Sequence, residues 1–398
     1  MSAHSGHGTM QRHANLGLIS VFFVLLWLPA ADTFLHLDRA AAPNENRTPA
    51  RFPEFRQSLQ GTREFLAGLE SYFSDHFGFR KRLVRWEQHW KWQIFRDSKV
   101  TQAIVGREGW LFFSGGLMID DVMGNRPFSE AELDQWRELI SQRHDWLAQR
   151  GIRYLFVIPP DKHTIYPEHL PNWLATAARP PRRLEQFVNY MKARSDLPIL
   201  DLRETLLAEK KNARVYLQTD THWNERGAFA AYRRIVEKLA YMGMPVVPLD
   251  TSAFQPRATD LPAGDLARML GREAFLSEKG EFVLDARPPL APLRPRMGEN
   301  LRKKWIPGTE PQVTENPEKT GRVVVFRDSF ASSLMKFLGC NFNRVVYLWQ
   351  QNWDKGLIER EKPDVVIDEM LERILISRNP EDLRSKDDQP DVQVFGER

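Results

Sequence analysis

Apolar residues in the C-terminal two thirds of the chain fall into short continuous runs, separated by stretches with helical spacing. The continuous runs cover residues 152–158, 198–202, 322–326, 345–349 and 364–367. Between them, apolar residues recur every three or four positions, as over residues 228–239. Strands that are apolar throughout and alternate with helices predict a parallel sheet covered on both faces. We therefore predict an α/β fold, with a parallel sheet flanked by helices.

The remaining segments set the expected domain boundaries. Residues 38–100 predict a linker followed by a helical preamble that breaks near residues 75–80. Residues 101–376 form the predicted main domain. Residues 251–320 are rich in proline, glycine and charge, which predicts a loop-rich insertion that could include a hairpin. From residue 377 the chain is polar, and we expect a loosely held tail over 377–398.

A chargeless apolar run over residues 16–31 dominates the N-terminus, so residues 1–37 are predicted to be a signal or anchor segment. The run is slightly shorter than the roughly 20 residues that span a bilayer. No small-x-small cleavage site adjoins it. We expect an uncleaved N-terminal membrane-anchoring helix, with a cleaved signal as the alternative. The rest of the protein is then expected outside the cytoplasmic membrane.

Composition excludes several classes of function. Apolar residues make up 42% of the 398, enough for a sizeable core. The net charge is +4, with acidic residues mixed among basic ones, so no basic stripe indicates nucleic-acid binding. Cys340 is the only cysteine, and no CxxC or HExxH motif occurs. The ten histidines are scattered, so we predict neither a metal site nor a cofactor.

Two short motifs carry candidate chemistry. Ser329 lies just after the strand over 322–326 and before a helix, where its hydroxyl can project from the C-terminal edge of the sheet. His222 is a suitable base for a serine hydroxyl, and Asp220 can hold the imidazole. A spacing of two in an extended segment puts Asp220 and His222 on one face. The alternatives are structural: a helix cap for Ser329, a core or capping histidine, and a turn aspartate.

The segments 219–224 (Thr-Asp-Thr-His-Trp-Asn) and 327–330 (Arg-Asp-Ser-Phe) resemble the SGNH-hydrolase-like domain of the alginate O-acetyltransferase family, the AlgX and AlgJ type. Segments 75–80, 106–113 and 159–168 also look like this family, and the resemblance spans roughly residues 45–375. It implies Ser329 as nucleophile, His222 as general base and acid, and Asp220 as its orienting partner. It also implies a periplasmic protein, held at the inner membrane by its N-terminal segment. Its partners would be a polysaccharide acceptor and a polytopic membrane acyltransferase that supplies acetyl groups.

Four further residues are candidates for binding substrate or stabilising an oxyanion. Arg327 stands where ordinary SGNH enzymes have glycine; it is expected either to hold an anionic sugar or to pair with Asp328. Asn224 is a candidate oxyanion donor, with helix capping as the alternative. Lys162 and Tyr166 are candidates for lining the cleft, with plain surface exposure as the alternative.

Three functions are compatible with these residues. The first is an O-acetyltransferase that moves an acetyl group, through a serine acyl-enzyme, to hydroxyls of a cell-surface or secreted polysaccharide. The second is a carbohydrate esterase with the same triad, in which water is the acceptor. The third is a non-catalytic polysaccharide-assembly scaffold. A separation of about 2.6–3.2 Å between the Ser329 hydroxyl and a His222 ring nitrogen would favour the two catalytic readings.

Overall fold

A computed structural model describes residues 102–287, 295–297 and 310–384. It also describes residues 59–76, 78, 79, 52, 53 and 55, and scattered residues between 17 and 32. The chain divides into two compact units, one of residues 1–100 with 268–271 and one of residues 101–267 with 272–398.

Within the first unit, helix α1 spans Leu59–His76, where the spacing of aromatic and apolar residues predicts a helix. Phe52 packs edge to face against Phe65 and Tyr72. The helix ends before a turn in which Phe79 has a φ of 57°. The second half of the predicted preamble, residues 83–94, lies outside the described residues.

The predicted membrane anchor, residues 16–31, also lies partly outside the described residues. Among the residues that are described, none of the helices combines the length and the apolar character needed to cross a bilayer.

In the second unit, strands and helices alternate as the apolar pattern predicts. The strands are β1 (Ala103–Val105), β2 (Leu111–Phe113), β3 (Arg153–Ile158), β4 (Ile199–Asp201), β5 (Phe254–Pro262), β6 (Ser277–Ala286), β7 (Arg296–Met297), β8 (Gln312–Glu315), β9 (Arg322–Phe326), β10 (Arg344–Leu348) and β11 (Val365–Glu369). The helices are α2 (Met118–Val122), α3 (Glu130–Ala148), α4 (Lys162–Ile165), α5 (Asn172–Ala177), α6 (Arg183–Arg194), α7 (Arg203–Lys210), α8 (Glu225–Tyr241), α9 (Asp265–Met269, of which residues 265–267 belong to this unit), α10 (Met335–Asn341), α11 (Lys355–Glu361) and α12 (Glu372–Ser377).

Seven of the described strands form one sheet, in the order β4-β3-β11-β9-β10-β8-β7. The other four form two separate pairs, β1-β2 and β5-β6. The five strands from β4 to β10 pair in parallel, as predicted, whereas β8 and β7 are antiparallel additions at one edge. Alternate residues of β9 enter two different apolar cores: Val323 and Val325 face one, and Val324 and Phe326 face the other. Helix α8 covers the first core and α3 the second, which explains why the central strands are apolar throughout.

The predicted loop-rich insertion is more ordered than its composition suggests. Strands β5 and β6 pair along nearly their whole length to form a long hairpin, which we call the arm (residues 254–286). Within 251–320, β7 and β8 join the central sheet instead. Alternating polar residues on β5 and β6 hide these strands from a search for apolar runs.

The start of the predicted polar tail also differs from expectation. Helix α12 continues to Ser377, and a 3₁₀ turn follows at Pro380–Leu383. Leu383 is buried, and its carbonyl accepts a hydrogen bond from the Arg143 guanidinium at 3.0 Å. Buried Leu383, its carbonyl and an ion pair between Arg384 and Glu138 at 3.2 Å therefore hold this stretch against helix α3.

Candidate active site

The structure brings the three predicted triad residues together. The Nδ1 of His222 lies 2.6 Å from Oδ1 of Asp220, and its Nε2 lies 2.8 Å from the Ser329 hydroxyl. The imidazole therefore bridges a carboxylate and a hydroxyl through its two nitrogens, the arrangement that activates a serine. The His222 and Asp220 side chains are 26% and 13% exposed, so the site opens to solvent.

The turn that carries Ser329 follows strand β9 directly and leads into a 3₁₀ helix over Phe330–Ser333. The carboxylate of Asp328 accepts the backbone N–H of Phe330 at 2.9 Å and that of Leu371 at 2.8 Å. The Asp328 N–H in turn donates to the carboxyl of Glu369, at the end of β11, at 2.9 Å. These three bonds clamp the backbone on both sides of Ser329 and fix the direction of its hydroxyl.

The segment that carries Asp220 and His222 is a tight loop before helix α8. Tyr216 and Trp223 form an antiparallel bridge, and the Leu217 N–H donates to the His222 carbonyl at 3.1 Å. Asp220 therefore lies near the tip of this loop. Its Oδ1 also accepts the backbone N–H of His222 at 3.0 Å, so the carboxylate braces both the ring and the main chain.

The arm contributes residues that no sequence motif singled out. Oδ2 of Asp220 accepts the backbone N–H of Asp265 at 2.8 Å. The Asp265 carboxylate accepts the N–H of Thr221 at 2.7 Å and its hydroxyl at 2.6 Å. Buried Glu278 accepts the backbone N–H groups of Gln218 and Thr219. The arm thus holds the loop that carries Asp220 and His222 through hydrogen bonds to four consecutive residues, 218–221.

Asp220, His222 and Asp265 each offer one donor atom within 4.8 Å of the others, the one group of potential metal ligands among the described residues. The Nδ1 of His222 is already engaged by Asp220 at 2.6 Å and lies 3.8 Å from Asp265. The three groups are therefore arranged around a histidine hydrogen bond.

Asn224 does not take the predicted oxyanion role. Its side-chain oxygen caps helix α8 by accepting the Gly227 N–H at 3.1 Å. Its amide group donates to the Arg214 carbonyl at 2.8 Å and to Glu281 at 3.1 Å. The capping alternative is the correct one, because both ends of this buried amide are occupied.

Part of this chain is similar to known proteins. Residues 103–284 match the family model for the SGNH hydrolase-like domain, acetyltransferase AlgX. The probable alginate O-acetylase AlgJ of Pseudomonas aeruginosa is 25% identical over 176 residues, which is 44% of this chain and 43% of that protein. AlgJ of Pseudomonas syringae is 25% identical over 192 residues, 48% and 47% of the two chains. The chain thus spans about half the length of the curated relatives it matches.

Residues 103–284 are thus similar to the AlgX/AlgJ type of SGNH hydrolase-like domain. The fold of the chain also resembles that of Bacillus cereus PatB1 with a sulfonyl adduct, with a TM-score of 0.53 at 14% identity over 73% of this chain and 100% of that one.

Lys162 and Tyr166 support the loop that carries Asp220 and His222 and do not line the cleft. Buried Lys162 donates to the carbonyls of Leu111 at 2.8 Å and Gln218 at 3.2 Å. Burial lowers the pKa of Lys162 to about 7, against the opposing charges of Asp220, Glu278 and Asp265. Lys162 therefore neither lines the cleft nor lies on the surface, because its ammonium group is buried against these two carbonyls.

The hydroxyl of Tyr166 accepts the backbone N–H of Val215 at 2.9 Å, and its ring stacks on Trp110 at 4.3 Å. The segments 106–113 and 159–168 therefore pack against each other and hydrogen-bond to the loop that carries Asp220 and His222.

Arg327 lies beside the nucleophile but is 4% exposed. Its guanidinium donates to the backbone carbonyl of Asp328 at 3.0 Å and to the Ser332 hydroxyl at 3.1 Å. Arg327 thus contacts Asp328, as one of the two predicted alternatives has it, but through the backbone carbonyl, since the carboxylate accepts backbone N–H groups. Burial also keeps this guanidinium from acting as a surface site for an anionic sugar.

Proposed function

We propose that this protein is a polysaccharide O-acetyltransferase that works through an acetyl-serine intermediate at Ser329. The observation that carries the proposal is the continuous relay from Asp220 through His222 to Ser329, with contacts of 2.6 and 2.8 Å. The names of the matched relatives, acetyltransferase AlgX and alginate O-acetylase AlgJ, support acetyl transfer as the reaction.

In the first half-reaction, the Ser329 oxygen attacks the carbonyl carbon of an acetyl donor while its proton passes to Nε2 of His222. Asp220 accepts from Nδ1 and stabilises the imidazolium that forms. The tetrahedral intermediate then collapses, the bond to the leaving group breaks, and His222 returns the proton to that group. Because Asn224 is committed to the cap of α8, we assign the oxyanion contact to the backbone N–H of Ser329.

In the second half-reaction, a sugar hydroxyl attacks the acetyl-serine carbonyl and gives its proton to His222. The Ser329 oxygen leaves, takes the proton back, and the acetyl ester remains on the polysaccharide. Transfer in place of hydrolysis requires that the acceptor displace water from the site during this step.

We further propose that the domain acts outside the cytoplasmic membrane, in the periplasm, attached by the apolar segment over residues 16–31. In this arrangement a polytopic membrane acyltransferase would deliver the acetyl group across the bilayer, so no water-soluble acetyl donor is needed in the periplasm. The chargeless N-terminal run supports the attachment. Fractionation of cells that express the full chain, with and without residues 1–37, tests it: release of the shortened protein from the membrane fraction is expected.

The function is tested by incubating the purified protein with an acetyl ester, with and without an alginate oligosaccharide. Acetyl groups on the oligosaccharide, lost in Ser329→Ala, are expected. Acetyl found only as free acetate would indicate an esterase. Full acetylation by Ser329→Ala would indicate a scaffold and remove the catalytic role of Ser329.

A further inference from the structure

The nucleophile turn of this domain borders an exposed tryptophan that the triad does not use. We propose that Trp349 is a stacking platform for a pyranose ring of the acceptor polysaccharide, held in place beside Ser329 by Arg327. The inference rests on the proposed function and identifies where the acceptor binds.

Trp349 combines exposure with a position at the edge of the sheet that carries the nucleophile. Trp110, Trp136, Trp223 and Trp353 are buried in the domain, whereas Trp349 leaves 40% of its surface open; Trp173 is also exposed, at 53%, but lies on helix α5. It follows strand β10 immediately, at the C-terminal edge of the sheet. In parallel α/β sheets this edge is where ligands bind. Exposure of the apolar indole to water at this edge is unfavourable, and a ligand that covered the ring would remove that exposure.

Strand register puts Trp349 next to the nucleophile turn. Leu348 of β10 pairs with Phe326 of β9, so the residues that follow them leave the sheet side by side. The Arg327 N–H donates to the Leu348 carbonyl at 2.9 Å, which continues the pairing one residue further. Ser329 lies two residues beyond Arg327, within about 8 Å of it along the chain. A sugar on Trp349 is thus within one or two ring lengths of the nucleophile.

Arg327 holds the indole through its guanidinium, which lies 4.3 Å from the ring centroid. The same guanidinium donates to the Asp328 carbonyl and to the Ser332 hydroxyl. The buried cation therefore ties the indole to the backbone before Ser329 and to a side chain after it, and a cation above a tryptophan face is attractive. This explains an arginine where ordinary SGNH enzymes carry glycine: it aligns a binding surface with the nucleophile.

The chemistry of the surface fits a sugar. One face of a pyranose is a flat array of C–H groups that packs on the electron-rich face of an aromatic ring, while its hydroxyls point outward. The residues after Trp349 are amides: Gln350 and Gln351 are partly exposed and Asn352 is exposed. Their side-chain NH2 groups already donate to the backbone carbonyls of Asn352, Glu369 and Asp382, and the Gln351 side-chain oxygen is buried. The side-chain oxygens of Gln350 and Asn352 can therefore accept hydrogen bonds from sugar hydroxyls. Stacking does not depend on ring charge, so acidic and neutral pyranoses should both bind.

The test separates the two half-reactions. In Trp349→Ala we expect acetylation of Ser329 by a small acetyl ester to stay within about two-fold of wild type. The KM for an alginate oligosaccharide should rise on the order of ten-fold, the size of effect that losing one aromatic stacking partner has in nucleic-acid sites. Trp349→Phe should recover part of the loss. Trp173→Ala is the control, because Trp173 is also exposed, at 53%, but lies on helix α5.

Direct binding gives a second readout that does not need turnover. Isothermal titration of Ser329→Ala with alginate and cello-oligosaccharides should show binding that the added Trp349→Ala weakens by a similar factor. Equal affinity or KM with and without the indole would overturn the platform. A Trp349→Ala protein that fails to acetylate Ser329 would also overturn it, since the indole would then support the nucleophile turn. If wild type forms no acetyl-serine while oligosaccharide binding still depends on Trp349, the proposed function fails and the platform stands.

Discussion

Asp220 is held ionised by the histidine that it orients. Burial alone would raise the pKa of Asp220, but the hydrogen bond and charge of His222, with backbone N–H groups of His222 and Asp265, hold it below its usual range. The carboxylate therefore remains a hydrogen-bond acceptor throughout the neutral range. It fixes the tautomer in which Nε2 faces Ser329 without a proton.

Asp220→Asn should break this arrangement while preserving the fold. An amide can donate to Nδ1 and so favours the wrong imidazole tautomer, for which a comparable change in a serine protease costs about 10⁴-fold in kcat. We expect kcat to fall by roughly 10³–10⁴-fold, with a nearly unchanged midpoint of chemical unfolding. Steady-state kinetics with an acetyl ester and a urea titration measure the two quantities. A variant with more than a tenth of wild-type kcat would contradict the orienting role.

Glu369 is a buried acid on the other side of the nucleophile. Burial, and then the charge of Asp328, raise the pKa of Glu369 well above its usual range, against the attraction of Arg327. Burial also raises the pKa of Asp328. The buried Oε1 atom of Glu369 accepts no hydrogen bond from any of the described residues. A neutral Glu369 that donates to the Asp328 carboxylate accounts for all three observations.

The contribution of neutral Glu369 to the free energy of unfolding depends on pH. In the unfolded chain Glu369 loses its proton near pH 4.3, whereas the folded protein keeps it. The contribution to stability is therefore complete below that pH and is lost as pH rises toward the folded-state pKa, by about 1.4 kcal/mol per pH unit. Glu369→Gln keeps a neutral donor and removes the proton, so its free energy of unfolding should fall less steeply above pH 4.3. Parallel curves from denaturant titrations at several pH values would show that Glu369 is ionised in the folded protein.

Among the structural elements, the arm matters most for the geometry of the triad. Gly264 lies so close to the catalytic loop that an added Cβ would meet the Asp220 Cβ at 2.3 Å and its Oδ2 at 2.6 Å. Its N–H donates to the Thr219 hydroxyl at 3.0 Å. Only glycine permits the arm to approach Asp220 this closely.

Gly264→Ala should therefore displace the arm or Asp220. A misplacement of about 1 Å can lower turnover on the order of 100-fold, and we expect a loss of that size in kcat. Arg257→Ala, which removes an exposed ion pair with Asp285 further along the arm, is the control and should leave kcat unchanged. Wild-type kcat in Gly264→Ala would mean that the arm does not set the triad geometry.

Across the whole molecule, the sequence predicts the parallel strands of the central sheet better than it predicts the arm and strand β8. Continuous apolar runs identify β3, β9, β10 and β11 because both faces of these strands are buried. The arm and strand β8, which lies next to the edge strand β7, carry polar residues and lack that signal. The capping box at Ser129 is readable from local spacing and is present, with the Glu132 N–H donating to the Ser129 hydroxyl.

Some residues of the candidate site can be predicted from short motifs, whereas others can be identified only in the folded chain. Asp220 and His222 are two residues apart and Ser329 ends a strand, so short motifs reveal them. Asp265 and Glu369 come from distant segments, and only the folded chain brings them to the site. Lys162 and Tyr166 look like substrate ligands in the sequence because both are polar. Their inward direction depends on carbonyl and N–H groups of other segments.

The most direct test of the whole account is to trap the intermediate. The purified protein is mixed with an activated acetyl ester, quenched in acid, digested and analysed by peptide mass spectrometry. The account predicts one added acetyl group on the peptide that contains Ser329, its disappearance on addition of an alginate oligosaccharide, and transfer of the acetyl group to that sugar. Acetylation of the sugar with no acetyl group ever found on Ser329 would contradict it.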